Sequence, residues 1–264
     1  MAAPDLLVLG DGANLLVDDS GVGELVVRLD RGEFQRVELS ADGRAHVGAG
    51  VHLFKLINRT VHAGLAGLEV LAGIPASLGG ALAMNAGGAF GQIADVVTRV
   101  HALDPASGRA IALEKPNIGF AYRSGGALRD LIITDAELAL TPADPVQVTA
   151  RRDECNTYKL RTQPMNAHSA GCCFKNPTLT TDLPGVARVG ERVSAGLLID
   201  LAGLKGTRIG GAEVNQRHGN FIVVDKAHAT ASDVLRLMDA VTAGVLGAFK
   251  VRLEPEVVVW RRTP

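Results

Sequence analysis

Cysteine is scarce in this chain. Its three residues, Cys155, Cys172 and the adjacent Cys173, cannot build a disulfide framework or a CxxC metal knuckle, so no metal centre is expected and any value of the thiols is chemical. Aromatic side chains make up 4% of the 264 residues, and 27 Lys+Arg against 28 Asp+Glu leave a formal charge of −1. There is no basic run and no aromatic-basic interleaving, which argues against a nucleic-acid partner. The opening stretch MAAPDLLVLGDG has no charged leader ahead of a long apolar core, so it does not read as a signal peptide, and the default expectation is cytoplasmic. Internal repeats and low-complexity segments are also missing. The length fits one large domain or two ordinary ones.

What is present is concentrated in Leu71 to Gly91, LAGIPASLGGALAMNAGGAFG, which carries no charge and six glycines. Missing Cβ atoms let main-chain N–H groups approach an anion closely and make positive φ cheap, so such a stretch reads as a bed for a phosphate-bearing cofactor. Gly73, Ile74, Pro75, Gly79, Gly80, Met84 and Asn85 are its candidate contacts. A buried packing turn is the plainer reading. A membrane span is disfavoured by Pro75, Asn85 and the glycines, and no membrane partner is expected.

Leu6 to Leu9, then Gly10-Asp11-Gly12-Ala13-Asn14, then Leu15 to Val17 make a strand, a glycine turn and a strand. A dinucleotide fingerprint would need a third glycine at position 15 and a helix starting there; Leu15 and Asp18-Asp19-Ser20-Gly21 deny both. Gly10, Gly12 and Asn14 could still donate to a diphosphate, or be an ordinary turn. Further strands are read at Glu24 to Leu29, Arg36 to Leu39, Ala45 to Gly48, Val96 to Leu103, Ala110 to Leu113 and Leu131 to Leu140. Val51 to Ala63 has helical spacing at Val51, Phe54, Leu56, Ile57 and Val61, with Gly64 as its stop. Val146 to Lys159 is a helix ending at a hinge, Arg161-Thr162-Gln163-Pro164. Beyond it Ser194 caps a helix, Ala195 to Leu201, and Gly210 to Val214 and Phe221 to Val224 are strands. A longer helix covers Ala231 to Phe249 behind a Thr230/Asp233 capping box, and a terminal strand covers Glu256 to Trp260.

Three polar islands stand out: Tyr122-Arg123, Cys172 with Lys175-Asn176, and Glu254/Glu256. Singly, each reads as surface or filler. Together with LGDGANLLVDDSG (Leu9 to Gly21), AGIPASLGGALAMNAGGAFG (Ala72 to Gly91), YRS (Tyr122 to Ser124), SAGCCFKNP (Ser169 to Pro177), LIDLAGLKG (Leu198 to Gly206), GGAEVNQRHGNF (Gly210 to Phe221) and LEPEV (Leu253 to Val257), the chain resembles the UDP-N-acetylenolpyruvoylglucosamine reductases of peptidoglycan precursor synthesis.

The resemblance implies an α+β fold: a FAD-binding lobe of the vanillyl-alcohol-oxidase/PCMH type over 1–150, then a smaller α+β substrate-binding lobe over 151–264. It implies noncovalent FAD, NADPH as reductant, UDP-N-acetylglucosamine enolpyruvate as substrate, and a monomer. Arg123 matches the family's carboxylate-binding arginine, and Glu256 its catalytic acid. Cys172 stands where the family usually has the serine of SAGS; a thiol with an ordinary pKa near ~8.5 is a better proton donor to a carbanion than an alcohol. Cys173, next along a strand, is expected to face the core. Tyr122, Lys175 and Asn176 match substrate contacts. The family carries a strand-and-helix unit ahead of the first glycine motif, where this chain begins almost at the motif, so either the start is late or the wall around the cofactor is incomplete. The shorter subfamily, without a tyrosine-bearing loop, is the nearer match. Two other readings remain open: a related flavin oxidase, which lacks here a His or Cys for covalent flavin attachment in the glycine loops, and a catalytically silent flavin or nucleotide-sugar binder.

Overall fold

The computed structural model describes residues 6–262, so the leader reading at Met1–Asp5 lies outside the described residues. The chain separates into two units, one running through Gly12 and resuming at Glu24–Lys159, the other made of Ala13–Gly23 and the residues from Leu160 onward. The opening strands β1 (Leu6–Val8), β2 (Leu15–Val17) and β3 (Leu25–Val27) are divided between them: β1 pairs in parallel with β3 in the first unit, and β2 belongs to the second.

In the first unit, alternation decides the main sheet. Strands β4 (Val37–Leu39) and β5 (Arg44–Gly48) bury Ala45 and Val47 on one face and turn His46 outward. After β5 comes helix α1 (Leu53–His62), capped by His52, whose Nδ1 accepts from the Phe54 amide at 3.1 Å. Its buried stripe is Leu53, Leu56, Ile57 and Val61, and Phe54, outside that stripe, is 65% exposed, contrary to its place in the apolar spacing. Gly64, at φ +65°, ends it as expected. A short strand β6 (Leu65–Ala66) follows.

The uncharged stretch is not one loop. It contains the six-residue helix α2 (Leu78–Ala83), capped by Ser77, and a tight hairpin of β7 (Gly87–Gly88) and β8 (Gly91–Gln92). Strands β9 (Val97–Leu103) and β10 (Ala110–Glu114), a single helical turn α3 (Lys115–Ile118), and strands β11 (Ile132–Ala139) and β12 (Thr141–Pro142) come next. The antiparallel five-stranded sheet has the order β10-β9-β11-β5-β4. Its inner face packs Val97, Val100, Ala136 and Leu138 with the buried sides of α1 and α2. The outer face carries charge: Glu137 lies opposite His46 and Arg99, and Asp135 opposite His101. Helix α4 (Pro145–Thr162) buries Val148, Cys155 and Lys159.

The second unit is built on a different core, around Phe174, Leu198, Ile199, Leu237, Val241 and Val245. Helix α5 (Ala195–Leu201) precedes a meander of β13 (Arg208–Ile209), β14 (Ala212–Val214) and β15 (Ile222–Val224). The run read as one strand from Gly210 therefore begins as the turn between β13 and β14. Helix α6 (Ala231–Phe249) carries the Thr230/Asp233 capping box, and the Asp19 carboxylate also accepts from Ala231 and Ser232 at 2.7 and 3.0 Å, placing negative charge at the helix N-terminus. The last strand β16 (Val258–Trp260) starts two residues later than read and pairs in parallel with β2, Leu15 opposite Val258.

Candidate active site

The glycine loops of the first unit meet. A Cβ on Gly10 would stand 2.7 Å from Ser77 Oγ and 3.9 Å from the Gly80 Cα, so only glycine lets the Gly10–Gly12 loop lie against the start of α2. His52 reinforces that closure: its Nδ1 is an acceptor, leaving Nε2 to face the Asp11 carboxylate at 3.5 Å. Neither Ser77 nor His52 was singled out in the sequence; Ser77 is the N-cap of a helix that the sequence did not announce.

The amides of the bed are used differently from the expectation that they approach an anion. The Leu78 N–H donates to Val51 O at 2.8 Å, Gly79 N–H to Ala49 O at 2.8 Å, Gly80 N–H to Ser77 Oγ at 3.3 Å, and Ile74 N–H to Leu71 O at 3.1 Å. At these positions glycine supplies close backbone packing and a surface free of side chains. Gly12, Pro75 and Gly80 are exposed, and Gly73, at φ +78°, accepts the Lys159 stem, whose Cδ would be 3.0 Å from an added Cβ. The surface left is bare backbone at Gly12, Pro75 and Gly80, open to a large flat cofactor, with the Asp11 carboxylate turned toward His52 and Arg28.

Met84 is the C-cap of α2 and Asn85 follows at φ +44°. Asn85 is 1% exposed and its amide is committed inside the protein: Nδ2 donates to Gln92 Oε1 at 3.0 Å and to Ala121 O at 2.9 Å, and Oδ1 accepts from the Ala94 N–H at 3.3 Å. It ties the glycine hairpin to the turn Ala121–Ser124, where Ala121 and Ser124 exchange backbone bonds of 3.0 and 3.1 Å. Arg123 sits at the bend of that turn at φ +54°. Its Nη1 donates to Gly87 O at 3.1 Å, and its guanidinium lies 5.2 Å from the centre of the Tyr122 ring. Tyr122 and Arg123 are thus held beside the hairpin of the bed.

In the second unit, the segments that bear Cys172 and Glu256 run side by side. Glu256 N–H donates to Cys173 O at 2.8 Å, Lys175 N–H to Glu254 O at 2.9 Å, and Phe174 bridges Pro255. Cys172 is half-buried, while Cys173 turns into the core, where burial pushes its thiol up to about 12, with the Glu256 carboxylate adding to the rise. The alternation expected of the two thiols is realised. Lys175 Nζ lies 3.9 Å from the Glu254 carboxylate, and Asn176 Oδ1 accepts from the Ala195 N–H at 3.0 Å, sharing the N-terminus of α5 with Ser194. Asn14 sends its Nδ2 to Glu256 O at 3.0 Å and accepts from Val258 N–H at 3.0 Å through its backbone carbonyl. Asn220, quoted in its motif without a role, is buried against Phe174.

Glycine loops meeting in one unit, and Cys172 and Glu256 on hydrogen-bonded segments of the other, point to the class of flavin-dependent reductases, and the comparisons with known proteins agree. Residues 4–114 match the family model described as an FAD binding domain, and residues 163–260 match that of the C-terminal domain of UDP-N-acetylenolpyruvoylglucosamine reductase. UDP-N-acetylenolpyruvoylglucosamine reductase 2 of Symbiobacterium thermophilum is 41% identical over 97% of this chain and 78% of that protein, and the enzyme of Thermus thermophilus is 41% identical over 96% and 84%. The crystal structure of the UDP-N-acetylenolpyruvylglucosamine reductase of Thermus caldophilus superposes with a TM-score of 0.80 at 39% identity, covering 97% of this chain and 86% of that one. The chain belongs to the UDP-N-acetylenolpyruvoylglucosamine reductase family, and its α+β fold with an FAD-binding domain is as expected.

Proposed function

We propose that this chain is the NADPH-dependent flavoenzyme that reduces UDP-N-acetylglucosamine enolpyruvate to UDP-N-acetylmuramate in peptidoglycan precursor synthesis. The observation that supports the reading is that the segment following Cys172 is hydrogen-bonded to that of Glu256, Glu256 N–H to Cys173 O at 2.8 Å, inside the unit that matches the reductase's C-terminal model. When bound and reduced by NADPH, FAD would be the source of the hydride for the enol ether. Gly10, Gly12, Gly73, Ile74, Pro75, Gly79, Gly80 and Met84 would line its bed, with Asn85 bracing it and Asn14 beside Glu256.

The protein's own groups manage the charge that hydride addition creates. The Arg123 fork binds the substrate carboxylate, into which the negative charge spreads, and its planar geometry suits two oxygens at once. Glu256 carries a proton as that charge develops, because a bare carboxylate would repel it. The Cys172 S–H bond then breaks, its proton forms the new C–H bond at the α-carbon, and the thiolate regains a proton from water. Tyr122, Lys175 and Asn176 contact the sugar nucleotide, and the unit resuming at Glu24–Lys159 serves FAD while the unit from Leu160 onward serves substrate. The protein works as a cytoplasmic monomer; among the described residues no helix is long and apolar enough to cross a membrane.

The test is spectroscopic. Purified protein carries flavin that bleaches with NADPH and recovers its colour, without oxygen, only on addition of the enolpyruvyl sugar nucleotide. Bleaching without that recovery leaves a flavin-binding protein and removes the reductase assignment. Cys172→Ala is expected to permit bleaching and block recovery.

A further inference from the structure

The segment bearing Cys172 is held by a side chain acting as a strand. Asn220 is 3% exposed, and its amide occupies both main-chain groups of Phe174: Oδ1 accepts from the Phe174 N–H at 2.9 Å and Nδ2 donates to the Phe174 carbonyl at 2.7 Å. Its own carbonyl accepts from the Cys173 N–H at 2.8 Å, and Cys172 bridges the next residue, Phe221. Asn220 itself is fixed by its N–H, which donates to His218 Nδ1 at 3.3 Å.

The opposite edge of the same segment carries Glu256, through Glu256 N–H to Cys173 O, and Asn14 Nδ2 closes on Glu256 O at 3.0 Å from beyond. Two asparagine amides therefore flank these segments: that of Asn220 at Phe174, two residues beyond the thiol, and that of Asn14 at Glu256. An amide is suited to this task because it presents one donor and one acceptor in a plane, the same pair that a neighbouring strand would offer. The backbone of residues 173–174 cannot rotate without breaking three bonds to Asn220, and the direction of the Cys172 Cα–Cβ bond is set with it.

We propose that Asn220, with Asn14 on the opposite edge, is a positioning residue for proton delivery: it fixes the aim of the Cys172 thiol relative to Glu256. This rests on the reading of Cys172 as proton donor. The step it governs is the transfer from sulfur to the α-carbon, where a displacement of about 1 Å costs on the order of 100-fold.

The experiment measures the two half-reactions of the FAD-loaded enzyme separately by flavin absorbance, so that each sample is normalised to its own bound flavin. Asn220→Ser and Asn220→Asp are expected to slow recovery by the enolpyruvyl substrate by about 10- to 100-fold and to raise its solvent deuterium isotope effect, as proton transfer becomes limiting. Bleaching by NADPH is expected to stay within about twofold. In Asn220→Asp the ionised carboxylate lacks the donor to Phe174 O; as pH falls the carboxyl takes up a proton and becomes an isostere of the amide, so recovery is expected to rise toward acid pH. Equal slowing of both half-reactions, or no slowing of either, overturns the inference as a merely structural role would. Cys172→Ala is run alongside. If it leaves recovery intact, the proton-donor reading fails and the inference with it; if it blocks recovery while both Asn220 variants are normal, the inference alone fails. Should neither Asn220 variant retain flavin, Asn14→Ser decides: an altered ratio of recovery to bleaching supports the bracket, and an unaltered ratio overturns it.

Discussion

Raising the pH above the ordinary range of a thiol should destabilise the second unit through Cys173. The thiol is buried in the core and held up to about 12, against an ordinary value of 9.0, chiefly by loss of solvation. In the unfolded chain it ionises near the ordinary value. Between the two values the unfolded state therefore binds fewer protons than the folded one, so stability is fully present below 9 and is lost as pH climbs toward 12. Each pH unit in that interval is worth about 1.4 kcal/mol, and the whole interval about 4 kcal/mol. Cys173→Ala removes the titrating group at a packing cost of about 1 kcal/mol that does not depend on pH. Urea unfolding followed by the fluorescence of Trp260, the single tryptophan, is then measured for both proteins from about pH 8 to about pH 11. The advantage of the parent over the variant should be constant below pH 9 and then shrink and change sign. A difference that stays flat across the range would refute the claim that burial suppresses this thiol.

Gly10→Ala should weaken FAD binding without unfolding the protein, since its Cβ meets Ser77 Oγ at 2.7 Å and the loop must retreat from α2; fluorescence titration of flavin with the apoprotein reads it, and unchanged affinity would disconnect this close approach from the cofactor. Thr230→Ala removes the acceptor for the Asp233 N–H at 3.1 Å and should cost about 1 kcal/mol by denaturant unfolding. Glu137 is held below the usual carboxylate range first by its hydrogen bond from His101, then by Arg99. Its contribution is therefore present above the unfolded value and lost as pH falls through the folded one; His101→Ala should flatten that acid-side loss. Arg123→Lys keeps the charge but loses the fork, and should lower kcat with the enolpyruvyl substrate by about 100-fold with NADPH bleaching intact.

Much of the fold is legible in the chain because its signals are local. The Thr230/Asp233 box, the spacing of α6 and the alternation of β5, β9 and β11 each decide their own element within a few residues. Phe54 shows the limit: the apolar count over Val51 to Ala63 is right, but spacing alone does not say which face meets the core, and packing buries Leu53, Leu56, Ile57 and Val61 while Phe54 faces solvent. The short α2 inside the uncharged stretch is likewise hidden, since Gly79 and Gly80 are poor helix formers and α2 persists through bonds to Val51 O and Ala49 O.

The family, the α+β class and the glycine-dense loops are readable from residue types and their order, because that is what motifs record. Where the small amides go is settled by folding alone. Asn14, Asn85 and Asn176 look interchangeable as candidate ligand contacts in one dimension, yet each bonds a backbone group remote in the chain, 242 positions away for Asn14 and 36 for Asn85, and Asn220, given no role, bonds one 46 positions away. A hydrogen bond has no signature in the residues between its ends. The same holds for β2, which joins the last strand rather than its neighbours because parallel pairing reads spatial register and not sequence distance.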